Sequence, residues 1–439
     1  MGARTPSTGM EEMMKVLVIG SGGREHALCW KLRQSPLLEE LYCAPGNPGI
    51  AQIADPVPIP ADEIHKLADF AADLKIDLTV VGPELPLTFG IVDEFHGRGL
   101  PIFGPRQQAA ELEGSKVFAK EFMRRLEIPT ADFAIAHDAE EARRCAARFG
   151  FPVVLKADGL AAGKGVLIPG DEEELEEALK TFFEERRFGA AAERVVVEEC
   201  LRGTEVSFIA LCDGEHALPM ATTKDYKRLL DGDRGPNTGG MGAHSPAGVL
   251  TGGAGAEILD RVIRPTVRGM ADANRGFVGF LYAGLMLTEE GPKVLEFNVR
   301  LGDPEAQALL LRLEDDLLPL LATGAGKRFE TSRLRFRKEA SACLVLASKG
   351  YPAKPVKGEP IEGLDDAADG EGVVIFHAGT ATKDGRVVAA GGRVLNACAT
   401  GPKLRDALKR AYLAAAAVQW PSKIMRHDVG RQVLEGSSG

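Results

Sequence analysis

Between residues 294 and 305 the chain sets Glu296, Asn298, Arg300, Asp303 and Glu305 among apolar neighbours. Side chains alternate faces along a strand. Glu296 and Asn298 are therefore expected on one face, with Leu295, Phe297 and Val299 buried on the other. A carboxylate beside an amide offers two hard oxygen donors. Mg²⁺ takes such donors while keeping positions for water and substrate phosphates, so the pair suits a divalent ion that arrives with a nucleotide. An amphipathic strand with a solvated polar face produces the same alternation, and the rest of the chain has to decide between the two.

A second grouping lies at residues 152–168. A strand carrying Lys156 runs into a glycine-rich stretch with Gly159, Gly163, Lys164 and Gly165, and a strand resumes at Val166. This is not a Walker A loop: three residues separate Gly159 from Gly163, no Ser or Thr follows Lys164, and no helix is predicted after it. It reads as a hairpin tip whose backbone N–H groups can lie over phosphates, with Lys156 and Lys164 supplying charge. A cation about 4 Å from a phosphate oxygen contributes about 4 kcal/mol at an effective dielectric near 20. A plain flexible turn is the structural alternative. Further on, a strand over 194–199 ends in Glu198 and Glu199, and 204–211 alternates with Glu205 and Ser207 on one face. Residues 235–242, with Asn237, Gly240 and Gly242, have too few apolar anchors to exist for packing. Loops of that kind position ligands.

The elements that must hold these groups are legible too. Short apolar strands over 15–19, 41–44 and 78–81 alternate with helical stretches, which implies a parallel α/β sheet. They run into loops that hold Gly22 and Arg24, Pro45 and Gly46, and Glu84. Ligands of such sheets bind beyond the carboxyl ends of the strands, where all three loops fall. The first loop lacks the dinucleotide fingerprint, because its third glycine would fall at Glu25 and no acid ends the second strand. A phosphate-bearing substrate near its amides fits better than a nicotinamide, and a tight turn is the bland reading. A strand over 280–288 pairs with the Glu296 strand through a turn at 289–291. From residue 341 the chain is strand-rich, with a helix near 404–418. It carries no nameable chemistry and is expected to pack on the rest and shape the cleft.

The 439 residues set a soft prior of roughly three domains. A net charge of −10 argues against sequence-independent nucleic-acid binding. No apolar run approaches the about 20 residues of a membrane span, and no signal-peptide pattern opens the chain. Seven cysteines, scattered and never in a Cys-x-x-Cys pair, fit reduced thiols in a cytoplasmic enzyme without a zinc site.

Several of these segments, namely 20–27, 81–84, 112–116, 155–166, 225–228, 235–243 and 296–305, are long, ordered and specific. Through them residues 14–434 resemble glycinamide ribonucleotide synthetases of the ATP-grasp superfamily, the run 300–305 being the most diagnostic. The resemblance implies an α/β ATP-grasp fold. A leader or tag would occupy 1–13, an N-terminal parallel α/β (Rossmann-like) domain 14–115, and an ATP-grasp domain with central and lid parts 116–335. A small β-rich domain would follow over 336–435, with a tail at 436–439. ATP would lie between two α/β lobes. Lys116 and Lys156 would meet its phosphates, Gly159, Gly163, Lys164 and Gly165 would form the lid, and Glu198, Glu199 and Leu201 would border the adenine. Glu205 would meet the ribose, and Glu296 and Asn298 would hold Mg²⁺ or Mn²⁺. Gly22, Arg24, Glu84, Asp225, Asn237, Gly240, Gly242, Arg300, Gly302 and Asp303 would line the substrate sites, with Arg300, Asp225 and Lys156 catalytic. The implied substrates are glycine and 5-phosphoribosylamine, joined through glycyl phosphate by a monomer or weak homodimer with no nucleic-acid or membrane partner. Many members of the superfamily carry a further acidic metal ligand on the preceding strand. Here that region is Tyr282-Ala283-Gly284-Leu285, so one protein-anchored ion is expected. Another ATP-grasp ligase, such as a carboxylase of a purine precursor, and a non-catalytic nucleotide-binding module are the rival readings.

Overall fold

The structure, a computed structural model, describes residues 13–160, 165–185, 187–250 and 253–436. The expected leader, apart from Met13, and the last three residues of the tail lie outside the described residues, as do Gly163 and Lys164. Strands β1 (Met14–Gly20), β2 (Leu38–Pro45), β3 (Asp55–Pro56), β4 (Leu78–Val81) and β5 (Ile102–Phe103) form a parallel sheet in the order β3-β2-β1-β4-β5. Val16 and Val18 pack into one apolar cluster and Leu17 and Ile19 into another, so both faces of β1 are buried. That is why this strand reads as a continuous apolar run. The order reverses beside β1, and the loops after β1 and β4 open together there.

A small sheet, β6 (Phe133–Ala136), β9 (Val195–Glu199), β7 (Val153–Ala157) and β8 (Val166–Leu167), holds the segment that the resemblance reads as the lid. Strands β7 and β8 are the expected hairpin, with Leu155 opposite Leu167. Opposite it stands a four-stranded antiparallel sheet, β11 (Ala217–Pro219), β10 (Thr204–Asp213), β16 (Val278–Thr288) and β17 (Gly291–Asn298). Strands β12 (Lys224–Asp225) and β15 (Gly242–Ser245) leave this middle region and join the C-terminal sheet of β18 (Ala340–Ser348), β22 (Arg393–Gly401), β19 (Val373–His377) and β23 (Lys423–Ile424). Two hairpins complete the strands: β13 (Arg228–Leu230) with β14 (Arg234–Asn237), and β20 (Thr380–Lys383) with β21 (Arg386–Ala389).

Strand β17 departs from simple alternation. Leu285 faces Val294 and Gly284 faces Glu296, which leaves Leu295 unpaired in a β-bulge. Val294, Phe297 and Val299 are buried in one cluster, whereas Leu295 lines the cleft beside Glu296. The expectation that Leu295 buries with Phe297 and Val299 is therefore corrected. The bulge turns its side chain and Glu296 toward the same space and aims its carbonyl at Lys156 Nζ, 2.9 Å away.

Candidate active site

The bulged strand, the lid hairpin and the parallel-sheet loops enclose a cleft of about 960 Å³. On its lid side Lys156 projects from β7 and Lys116 opens the helix Lys116–Arg125. Ser115 caps that helix by accepting from the Phe118 N–H at 3.0 Å. Its hydroxyl also donates to Asp158 Oδ1 at 2.8 Å, which fastens the helix start to the base of the hairpin. Gly159 and Gly165 border the cleft from the two ends of the hairpin, and Glu199, Leu201 and Glu205 line its far end.

On the floor, Glu296 and Asn298 both face the cleft. Burial raises the Glu296 carboxyl, but Lys116, Lys227, Lys156 and Arg300 more than offset that and hold it at about 2. Lys116 Nζ lies 3.9 Å from its Oε2. The position opposite Glu296 is Gly284, where an added Cβ would stand 3.4 Å from the Glu296 side chain. No second carboxylate adjoins it on that strand. Among the described residues no three or more His, Cys, Asp or Glu groups cluster to hold a metal. An ionised carboxylate and an amide oxygen, open to a cleft lined by cations, fit an ion whose other ligands come from phosphate and water.

Arg300 stands next along the chain and is clamped. Its Nη2 donates to Glu113 Oε1 at 2.9 Å and to Asn298 Oδ1 at 3.2 Å, and its Nε donates to Glu84 Oε2 at 3.2 Å. Burial opposes the guanidinium charge, but Glu113 and Glu84 raise its proton affinity above the ordinary arginine value. Glu84 is held below the usual carboxylate range: burial pushes it up, and Arg300 and Arg24 more than reverse this. Asp303 behaves alike. Burial raises it, Arg393 and Arg24 lower it further, and its carboxylate accepts from Gln307 at 2.8 Å.

Asp225 sits across the floor, 3.5 Å from Ser207 Oγ. Burial drives its carboxyl up to about 7, against the pull of Lys227 and with Glu305 and Glu205 adding to the rise. Ser207 meets Tyr282 Oη at 2.7 Å, and Tyr282 donates to Glu305 Oε1 at 2.8 Å.

Most of the sequence candidates converge here. Arg24, Glu84, Asn237, Gly302 and Asp303 line the cleft with Asp225 and Arg300. Three glycines do not line the cleft. The Gly22 amide is spent on Glu25 Oε2 at 2.6 Å, Gly240 packs against Pro304, and Gly242 lies against Val429 and the Cys343 carbonyl. Glu198 also borders the cleft, and its side chain pairs with Lys156 at 2.9 Å. Sequence reasoning missed Glu113, Lys227, Tyr282 and, above all, Arg393. This arginine comes from the C-terminal sheet and ties the Gly239 and Asp303 carbonyls together. The glycine pair before it, Gly391-Gly392, was the only local signal.

Residues 14–113, 114–306 and 341–432 match the N, ATP-grasp (A) and C domains of phosphoribosylglycinamide synthetase. Fold and site together define an ATP-grasp ligase. The phosphoribosylamine–glycine ligase of Brucella melitensis biotype 1 is 49% identical over 422 residues, covering 96% of this chain and 99% of that protein. That of Pseudomonas aeruginosa is 49% identical over 429 residues, 97% and 100% of the two. The crystal structure of the Thermotoga maritima phosphoribosylamine–glycine ligase superposes with a TM-score of 0.82 at 36% identity, covering 94% of this chain and 99% of that one. The biotin carboxylase domain of Hydrogenobacter thermophilus 2-oxoglutarate carboxylase shares the fold, with a TM-score of 0.71 at 19% identity over 94% and 92% of the chains. The chain belongs to the phosphoribosylglycinamide synthetase family.

Proposed function

We propose that this protein uses ATP to join glycine to 5-phosphoribosylamine through glycyl phosphate, giving glycinamide ribonucleotide, ADP and phosphate. The observation that carries the reading is a single cleft holding two chemistries. A cation-framed carboxylate–amide pair, Glu296 and Asn298, stands near Lys116 and Lys156, and a protonatable Asp225 stands on the substrate side with Arg300 and Asp303.

In the first step glycine's carboxylate attacks the terminal phosphoryl of ATP, the bond from that phosphorus to the bridging oxygen breaks, and ADP leaves. Two anions must approach, and each cation about 4 Å from a phosphate oxygen offsets about 4 kcal/mol of repulsion at an effective dielectric near 20. Lys156 brings that charge, and Arg300, whose own charge Glu84 and Glu113 balance, brings N–H donors held in place beforehand. A Mg²⁺ or Mn²⁺ ion held by Glu296 and Asn298 would neutralise and orient the triphosphate. In the second step the amine of phosphoribosylamine attacks the acyl carbon, the C–O bond to phosphate breaks, and the nitrogen loses a proton. Asp225 accepts it, its affinity being near neutrality. Val154, Val166 and Ile168 line the cleft on the β7–β8 side, where water must be kept from the acyl phosphate. The reading includes a monomer or weak homodimer working in the cytoplasm.

ADP release by the purified protein tests it. Release that requires both glycine and phosphoribosylamine is expected. Bicarbonate-dependent phosphate release without glycine would instead assign the chain to a carboxylase.

A further inference from the structure

Behind the lid-side wall of the cleft Lys156 joins a buried charge cluster whose other members, Lys120 and Glu198, the two chemical steps do not use. Lys120 sits one helical turn after Lys116 and is 2% exposed. Its Nζ donates to Thr130 Oγ1 at 2.7 Å and lies 3.1 Å from Glu198 Oε1. Thr130 Oγ1 in turn donates to the Val294 carbonyl at 2.6 Å. Glu198, also 2% exposed, places its other oxygen 2.9 Å from Lys156 Nζ, which reaches on to the Leu295 carbonyl of the bulge. Lys120 borders only a small void behind the cleft wall, whereas Lys156 borders the cleft itself. One carboxylate is thus shared by two ammonium groups, and only one of them can meet a ligand.

The charge count gives the arrangement its meaning. A Lys156–Glu198 pair alone carries no net charge, and its field at a neighbouring phosphate is that of a dipole. Adding Lys120 makes the cluster +1. Burial lowers the Lys120 ammonium's proton affinity to about 8, while Glu198 works to raise it.

We propose that Lys120 is a positioning residue for the nucleotide. It supplies the countercharge that Glu198 requires and so leaves the charge of Lys156 available to a phosphate of ATP. Its contacts, carried on through Thr130, Glu198 and Lys156, also tie the helix, β9, β7 and the bulge of β17 into one unit, which fixes where Lys156 points. The inference rests on the reading of Lys156 as a phosphate contact.

The test compares ATP and adenosine binding, each measured by calorimetry with Mg²⁺ present, on the full chain. In Lys120→Met the affinity for ATP falls about tenfold while that for adenosine, which has no phosphate, is unchanged, and KM for ATP rises with little loss of kcat. Glu198→Gln retains ATP affinity, and Lys120→Met/Glu198→Gln recovers it to within about threefold, because Lys156 then stands unneutralised. Equal loss of ATP and adenosine in Lys120→Met would overturn the proposal, as would multiplied losses in the double variant. If Lys120→Met does not fold, Glu198→Gln decides: a tenfold loss there refutes the charge argument. A wild-type protein that fails to prefer ATP over adenosine would refute the ATP reading itself.

Discussion

Arg300→Met separates two jobs done by one side chain. In the native protein its guanidinium is the partner of Glu113, whose side chain is 6% exposed, and of Glu84, whose side chain is 33% exposed. Removing one member of a buried ion pair costs about 3–5 kcal/mol, because the other charge is left without compensation. The half-buried Glu84 regains water and adds little. Glu113 keeps the Val299 N–H at 2.7 Å, so the low end, about 3 kcal/mol, applies. A thermal melt should fall by roughly 5 °C. Burial already holds the Glu113 carboxyl above its ordinary value, and loss of Arg300 removes the largest opposing influence. A carboxyl with a raised folded-state pKa favours the native state when protonated. The deficit is therefore full above the folded-state pKa and shrinks as pH falls from there toward about 4.3, the unfolded value. Arg300→Met/Glu113→Gln should recover most of the melting temperature and none of the glycine-dependent ADP release. The reasoning fails if Arg300→Met melts with the wild type at pH 7.5, or if the double variant regains turnover.

Three other outcomes follow from the same geometry. Glu296→Gln keeps the shape of the floor but removes the charge beside Lys116, so glycine-dependent ADP release should drop roughly a thousandfold, and the melting temperature at neutral pH should fall as well, because the cations that hold the carboxyl at about 2 lose their counterion. Asp225→Asn should slow amide formation by about a hundredfold or more while glycine-dependent ATP–ADP exchange persists, and it should abolish the acid limb near pH 7 expected in the wild-type rate of amide formation. Gly23→Ala would drive a Cβ to 2.2 Å from Asn396 Nδ2 and 2.6 Å from Gln307 Nε2, and should cost about 1–3 kcal/mol by thermal or urea unfolding.

What the sequence discloses and what it withholds divide along one physical line. Glu296, Asn298 and Arg300 are near neighbours, and their local alternation is enough to place them together at one end of one strand. The hairpin of β7 and β8 and the parallel sheet are local patterns too, since apolar period and turn residues specify them. The bulge at Leu295 left no such trace, because an extra residue in a strand is visible only against its partner, and the register of β16 with β17 supplies that partner. The ion pairs of Arg300 reach 187 and 216 residues along the chain to Glu113 and Glu84. Composition and spacing cannot choose those partners among 63 acidic residues. Arg393 shows the same limit most sharply: a lone arginine in a region without other chemistry joins the site because β12 and β15 stitch the middle of the chain to the C-terminal sheet. A catalytic group that touches substrate is thus legible where its neighbours in the chain share its task. The groups that hold it still are drawn from whichever elements the topology brings past, and their part in the site follows from the fold alone.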